Sequence, residues 1–129
     1  MKKTLIMMLA ALVLTGCQES LEDRCEREAK DYTAKKCPAL LTEGVTIDSL
    51  VFYKSTHTLT YYYTLSGVLD NAEALESHDF RSILLRELRN SPDLNLYKEA
   101  GYNFGYVYYS QKQRGTLLLN TTFRSKDYQ

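Results

Sequence analysis

The chain lacks tryptophan and carries no excess of charge of either sign. It has 129 residues, of which 16 are acidic and 16 are basic, and it contains two histidines and two prolines. A nucleic-acid partner requires a basic face, because phosphate binding depends on clustered Lys and Arg. We therefore expect no nucleic-acid partner.

Motifs of catalysis, metal binding and phosphate binding are also missing from the sequence. Neither His57 nor His78 has a second His, Cys or carboxylate at a spacing typical of metal sites. The glycine-containing dipeptides Ser66-Gly67 and Gly115-Thr116 are more typical of turns than of a phosphate-binding loop. We expect both histidines to be exposed polar residues, and we predict no catalytic residue, no metal site and no dissociable cofactor.

The apolar run at residues 5–14 is too short to cross a membrane, since a spanning helix needs about 20 apolar residues. It follows the basic start Met1-Lys2-Lys3, an arrangement typical of a signal peptide. The run ends in Leu14-Thr15-Gly16-Cys17. This ending resembles the lipobox of bacterial lipoproteins, in which an aliphatic residue, a small residue and Gly or Ala precede an obligatory Cys.

The lipobox resemblance implies a processed, membrane-anchored protein. Residues 1–16 would be a cleaved signal peptide, and Cys17 would carry a covalent diacylglyceryl group, with a further acyl chain such as palmitate on its new amino group. Residues 17–20 would form a lipidated tether, and residues 21–129 a single domain of ordinary size. Each buried methylene contributes about 0.8 kcal/mol, so two or three acyl chains bind a membrane firmly. The alternative is an ordinary signal peptide that happens to end in Cys.

The residue after the cysteine bears on location. In enterobacterial lipoproteins an Asp at that position favours retention in the inner membrane, and this chain has Gln18 there. The resemblance therefore implies a lipid-anchored protein of the bacterial cell envelope, with the outer membrane favoured if the source is Gram-negative. The face of the membrane on which it lies stays open.

Cys25 and Cys37 are a candidate disulfide, because an envelope compartment permits oxidation. If one helix joined them, twelve positions would separate their Cα atoms by roughly 18 Å, whereas bridged Cα atoms lie about 4.4–6.8 Å apart. A bridge would require the chain to fold back before Pro38. In the alternative both thiols are free and Cys25 packs in the core.

A helix is predicted over residues 21–36. Its apolar positions recur at helical spacing and form a narrow stripe of Leu21, Cys25, Ala29 and Tyr32. Ser20 is a suitable N-cap, and Pro38 disfavours helix at the residue before it. A second helix is predicted from Asp70 or Asn71 to just before Pro92, followed by a short helical turn over 94–100.

Four strands are predicted from alternating β-forming residues, at 45–53, 58–66, 102–110 and 116–124. The expected fold class is α+β, a two-layer sandwich with a four-stranded antiparallel sheet and helices on one face, in the order helix-hairpin-helix-hairpin. This order, with Cys37-Pro38 before the first strand, is similar to small envelope lipoproteins of Bacteroides-like bacteria. That resemblance implies a fold and a location and no particular activity.

Tyrosine is the abundant aromatic residue, with eleven copies against four of phenylalanine. Period-two alternation assigns the more apolar residues of the last three strands to the helix-covered face: Leu59, Tyr61, Tyr63, Leu65, Tyr102, Phe104, Tyr106, Tyr108, Leu117, Leu119 and Phe123. The open face would then include Leu118 and hold a candidate binding set of Tyr62, Tyr109, Thr60, Thr64 and Asn120. Tyrosine supplies large rigid contacts with a hydroxyl, although tyrosines also stabilise sheets by cross-strand pairing.

Three functional interpretations stay open. The favoured one is a non-catalytic binding or accessory module of the envelope, with an envelope protein or a glycan as partner in addition to the membrane. The others are a membrane-proximal structural subunit of an envelope complex and a small envelope enzyme. An enzyme requires a pocket of titratable groups with perturbed pKa values, whereas a binding module requires an exposed surface patch.

Overall fold

The computed structural model describes residues 18–129, so the predicted signal peptide and the predicted lipidation site Cys17 lie outside the described residues. Helix α1 (Leu21–Lys36) begins after Ser20, whose hydroxyl accepts a hydrogen bond from the Asp23 backbone N–H. The helix ends before Pro38, and its buried residues are Cys25 and Ala29. The prediction of this helix is confirmed at both ends.

The remaining elements follow in chain order. They are β1 (Ala39–Thr42), β2 (Val45–Tyr53), β3 (Thr58–Leu65), α2 (Ala72–Ser77), α3 (Phe80–Arg89), α4 (Asn95–Glu99), β4 (Asn103–Ser110), β5 (Leu117–Phe123) and α5 (Ser125–Tyr128), with short 3-10 turns at Gly67–Leu69 and Pro92–Leu94. The four predicted strands are all present, within one or two residues of their predicted ends. The short strand β1 was not predicted, because four residues are too few to establish an alternation.

The sheet has five strands in the order β1-β2-β3-β4-β5, and its central pair β3–β4 is parallel. The predicted four-stranded antiparallel sheet is therefore wrong in both strand number and direction, while the α+β class is correct. The connection between β3 and β4 contains the helices α2 to α4. A helical crossover returns the chain to the same end of the sheet, so the strands that it joins can run in the same direction.

The predicted second helix is broken into α2 and α3. Asn71 caps α2, since its side-chain oxygen accepts from the backbone N–H of Glu73 at 2.8 Å. Asp79 adopts a left-handed backbone conformation with a φ of 47° and separates the two helices. The break explains why Leu75 lies off the apolar stripe of a continuous helix and is nevertheless 3 % exposed.

The helices of residues 18–129 cover the same face of the sheet, and the core lies between the two layers. Its members include Cys25, Ala29, Leu75, Leu84, Leu88, Tyr97 and Tyr128 from the helices and Ile47, Leu59, Tyr63, Leu65, Phe104, Tyr106, Tyr108 and Phe123 from the strands. Aromatic residues of neighbouring strands stack in this layer, with the rings of Tyr63 and Tyr108 4.5 Å apart. The predicted inner faces of β3 and β4 are confirmed.

The face predicted for the start of β5 is wrong. A register shift between Tyr108 and Tyr109 pairs Tyr108 with Leu119 but Tyr109 with Leu117. Leu117 therefore shares the open face with Tyr109 and is 49 % exposed, whereas Leu118 packs against the core. A bulge moves one residue out of the alternation, and the sequence pattern alone did not reveal it.

Gly105 is required at the centre of the sheet because β3 approaches it closely. A Cβ atom at this position would lie 2.9 Å from Thr60 Oγ1 and 3.3 Å from its methyl group. We expect Gly105→Ala to lower the free energy of unfolding by about 1–3 kcal/mol, as overpacking does. Urea denaturation measures this change.

The matching variant is Thr60→Ala, which removes the atoms that the new methyl group would meet. We expect the double variant to be more stable than the sum of the two single changes predicts, because neighbouring sites couple. Strict additivity of the two effects would show that the close approach does not limit position 105.

Candidate functional site

The open face of the sheet brings together the five residues predicted as a binding set. Thr60, Tyr62 and Thr64 of β3 lie beside Gly105, Val107 and Tyr109 of β4, and Val107 pairs with Asn120 of β5. No helix within residues 18–129 covers this face. We call Tyr62, Tyr109, Thr60, Thr64 and Asn120 the open-face patch; that it binds a partner stays a prediction.

The members of the patch differ in accessibility. Asn120 is exposed and Tyr62, Tyr109 and Thr64 are half-buried, while Thr60 is 6 % exposed because it packs against Gly105. Thr60 therefore shapes the centre of the patch without offering a surface to a ligand.

Tyr62 of the patch pairs with a second phenol, Tyr53 at the end of β2. The hydroxyls of Tyr62 and Tyr53 are 2.5 Å apart, and either of them can donate the hydrogen bond. Burial, followed by the hydrogen bond to Tyr53, raises the pKa of Tyr62 to about 12. Tyr62 is therefore neutral at physiological pH and offers a hydroxyl rather than a charge.

A cleft of about 390 Å³ lies at one end of the same face. Its lining combines hydroxyls, an amide, a carboxylate and a guanidinium: Thr46, Asp48, Thr64, Tyr109, Ser110, Gln111, Arg114 and Gly115. The Thr64 hydroxyl donates to Asp48 Oδ2 at 2.6 Å, which orients the carboxylate. Asp48 lies at a register shift between Ile47 and Ser49.

Asp48 and Arg114 were missed in the sequence reasoning. Asp48 stands inside a strand of otherwise neutral residues, and Arg114 precedes the turn glycine Gly115. The charge of Asp48 at an interior position of a strand was the one signal in the sequence that could have indicated this site. Their proximity could not be predicted, since it depends on the pairing of β2, β3 and β4.

Asp70 fixes the turn that forms one wall of the cleft. Its buried carboxylate accepts a hydrogen bond from the Lys112 backbone N–H at 3.1 Å. The Ser110 hydroxyl, and then this N–H, hold the pKa of Asp70 below its usual value. Among the described residues, Asp70 Oδ1 has no hydrogen-bond partner.

The two cysteine thiols and the two histidines lie away from this cleft. Both thiols are free, Cys25 buried and Cys37 partly buried, and burial raises the pKa of Cys25 to about 12. His57 stacks on Tyr102 and forms a 3.0 Å hydrogen bond with Glu22, and His78 ends helix α2. A protonated thiol is a poor nucleophile, so Cys25 is not activated for covalent catalysis.

The described part of the chain, residues 18–129, contains no group of three or more His, Cys, Asp or Glu residues able to hold a metal ion. None of its helices is both long and apolar enough to cross a membrane. The described part of the open face thus offers hydroxyls, the rings of Tyr53, Tyr62 and Tyr109, and a cleft lined by Asp48 and Arg114 among others. Such a surface can form hydrogen bonds and stacking contacts with a partner.

A family model described as a domain of unknown function (DUF8479) matches residues 20–119. No curated protein sequence matches the chain. Among solved structures, a Pseudomonas aeruginosa protein described as secreted is similar at 15 % identity and a TM-score of 0.70, covering 87 % of this chain and 100 % of its own. The pilotin of the Vibrio vulnificus type 2 secretion system is similar at 12 % identity and a TM-score of 0.63, covering 84 % of this chain and 92 % of its own. At these identities the likeness shows a shared fold.

Proposed function

We propose that the chain, which belongs to the family described as a domain of unknown function (DUF8479), is a lipid-anchored, non-catalytic accessory protein of the bacterial cell envelope. The observation that carries the proposal is the lipobox-like Leu14-Thr15-Gly16-Cys17, directly ahead of a domain whose fold a secretion pilotin shares. The lipid on Cys17 would be the membrane anchor, in the outer membrane if the source is Gram-negative.

The orientation of the domain supports a partner that approaches from the side away from the membrane. The tether residues 18–20 reach about 11 Å at most, so the start of α1 lies close to the lipid. This end of α1 contacts the β2–β3 turn, through Lys54 to Asp23 at 2.6 Å and His57 to Glu22 at 3.0 Å. The cleft beside Asp48 and Arg114 lies at the other end of β3, roughly 25 Å further along the strand.

The open-face patch is the proposed contact surface for an envelope protein. Tyr62 and Tyr109 supply half-buried rings with hydroxyls, and tyrosine is enriched among residues that dominate binding energy. The neighbouring cleft adds Asp48 and Arg114, which would fix the orientation of a polar partner. A glycan is the alternative partner, since sugar hydroxyls could bond to the same groups.

We expect replacing both Tyr62 and Tyr109 with Ser to weaken partner capture about tenfold, in line with the loss of a binding hot spot. The free energy of unfolding should change by about 1 kcal/mol or less, as for most surface substitutions. Capture is measured in native cells with a photocrosslinking residue at Gln111, beside the cleft.

The control places the same photocrosslinking residue at Lys35, which is exposed on helix α1. Equal capture of the same protein at Lys35 and Gln111 would contradict the proposed contact surface. If the protein binds to a glycan array and no protein is captured by crosslinking, the patch would be assigned to a glycan, the alternative partner.

A further inference from the structure

The outer edge of strand β5 presents backbone groups away from the sheet. Strand order places β5 at the edge of the sheet. In β4, Asn103 N–H donates to His57 O on the β3 side, and Ser110 N–H donates to Thr116 O on the β5 side. The even-numbered residues of β4 therefore face β5, and their partners Thr121 and Phe123 face β4. By the alternation of an antiparallel pair, the N–H and C=O groups of Asn120 and Thr122 point outward.

These outward groups are unpaired in the part of the chain that the structure describes: no backbone or side-chain hydrogen bond reaches them. The segment 116–123 contains no charged residue and no proline. Charged residues, prolines and covering elements are the usual means by which proteins protect a sheet edge. The β5 edge lacks the first two.

The opposite edge of the sheet, formed by β1 and β2, is protected, unlike the β5 edge. Strand β1 is short, and helix α1 packs along β2 beyond the residues that β1 pairs with. The Thr33 hydroxyl accepts from the Leu50 N–H at 2.9 Å and lies 2.9 Å from the Leu50 carbonyl oxygen. Within the described residues, a side chain thus blocks one edge, and no strand pairs with the other.

A groove of about 230 Å³ lies beside the open edge, between β5 and the junction of α2 and α3. Its walls are mostly apolar with charged residues among them: Ala72, Leu75, Glu76, Asp79, Phe80, Arg81, Leu118 and Leu119. A strand added to β5 would direct alternate side chains into this groove, as in other cases of strand addition beside a helix. The groove therefore selects an apolar residue at alternate positions.

Two acidic side chains at the groove, Glu76 and Asp79, favour a basic partner. Neither Glu76 nor Asp79 belongs to a salt bridge within residues 18–129. Arg81 is held away from them, because its Nε donates to Thr121 Oγ1 at 3.1 Å and its guanidinium lies 4.8 Å from the Phe123 ring. Asp79 Oδ2 accepts a hydrogen bond from the Ser82 hydroxyl at 2.7 Å, but neither carboxylate has a cationic partner among residues 18–129, so both favour a partner with Lys or Arg.

We propose that β5 accepts an extended, basic segment of a partner protein as a sixth strand, with apolar side chains in the α2–α3 groove and basic side chains beside Glu76 and Asp79. A second copy of the chain fits less well. Symmetric β5–β5 pairing would bring Glu76 and Asp79 of both copies toward each other, and like charges repel. This inference requires neither the lipid anchor nor the Tyr62–Tyr109 contact, so either proposal can fail alone.

The test uses the full chain in detergent and a labelled, acetylated peptide of sequence Lys-Thr-Val-Thr-Val-Thr-Lys, in which both lysines and both valines lie on the same face of the added strand. Binding is followed by fluorescence anisotropy, and hydrogen exchange is followed by NMR at individual amides. At a peptide concentration ten times Kd, we expect the amides of Asn120 and Thr122 to exchange about tenfold more slowly. The amides of Thr121 and Phe123 already bond to β4 and should change little.

Two variants with matched controls separate the backbone and charge contributions. Thr122→Pro removes an outward N–H at an edge position, where proline is tolerated, and should weaken binding about tenfold or more, whereas Thr122→Ser should leave the affinity nearly unchanged. Glu76→Lys should weaken binding about fivefold, as expected for an exposed ion pair, whereas the same change at Glu99 on α4 should have no effect. A peptide with Glu at both ends should show the reverse preference at position 76.

Three results would overturn the proposal. The first is peptide binding that leaves the Asn120 and Thr122 amides unprotected. The second is an affinity that does not respond to Glu76→Lys. The third is protection of these amides without peptide that grows with protein concentration, which would make a second copy the occupant.

Discussion

Replacing Cys17 with Ala is expected to abolish lipidation and to release the protein from the membrane fraction. The lipobox resemblance implies that the Cys17 thiol would accept the diacylglyceryl group, and alanine has no atom that could replace it. A single acyl chain gives a membrane partition constant of only about 10⁴ M⁻¹, so stable anchoring depends on several chains. Among residues 18–129, no helix can substitute as a membrane-spanning anchor.

The measurement is metabolic labelling with an acyl-chain analogue, followed by membrane fractionation. Two controls separate lipidation from folding and from sorting. The thermal melting of the variant should be unchanged, because the contacts that hold the start of helix α1 are made by Glu19 and Ser20. Gln18→Asp should keep the label, and it should move the protein to the inner membrane if sorting follows the enterobacterial rule. Label and membrane association in Cys17→Ala would contradict the lipoprotein proposal.

Local elements were predictable where several short-range signals agree. For helix α1, the Ser20 cap, the stripe through Cys25 and Ala29, and the stop at Pro38 all indicate the same boundaries. In the predicted second helix these signals conflict, since Leu75 lies off the stripe of its neighbours. The left-handed Asp79 resolves the conflict, and no propensity rule places a left-handed Asp there.

Strand pairing was not predictable, because it is set by contacts distant in sequence. The parallel alignment of β3 with β4 depends on how the helical connection crosses the sheet. The candidate site could be predicted only in part for the same reason, because it depends on strand pairing. Alternation placed Tyr62, Tyr109 and Asn120 on the open face correctly, but the burial of Thr60 follows from Gly105 on the neighbouring strand. The cleft beside Asp48 and Arg114 joins residues from three strands and a turn.

Phe104 in strand β4 is the position at which we expect a substitution to lower stability most. This side chain is 0 % exposed, lies between Leu59 and Phe123, and meets the ring of Tyr128 edge-on with centroids 5.6 Å apart. We expect Phe104→Ala to lower the free energy of unfolding by about 3–5 kcal/mol, since removing a buried aromatic leaves a cavity. Such a loss is a large part of the roughly 5–15 kcal/mol that stabilises a domain. Chemical denaturation measures it.

The neighbouring position supplies the control for this prediction. Asn103 points to the opposite face and is half-buried, and its side-chain amide donates to Thr56 O at 3.1 Å. Asn103→Ala removes this exposed hydrogen bond and should cost about 1 kcal/mol or less. Side chains of a strand alternate between faces, so a shift of one residue would exchange the two results. A large loss at Asn103 with a small loss at Phe104 would place the core on the face that is assigned here to the partner.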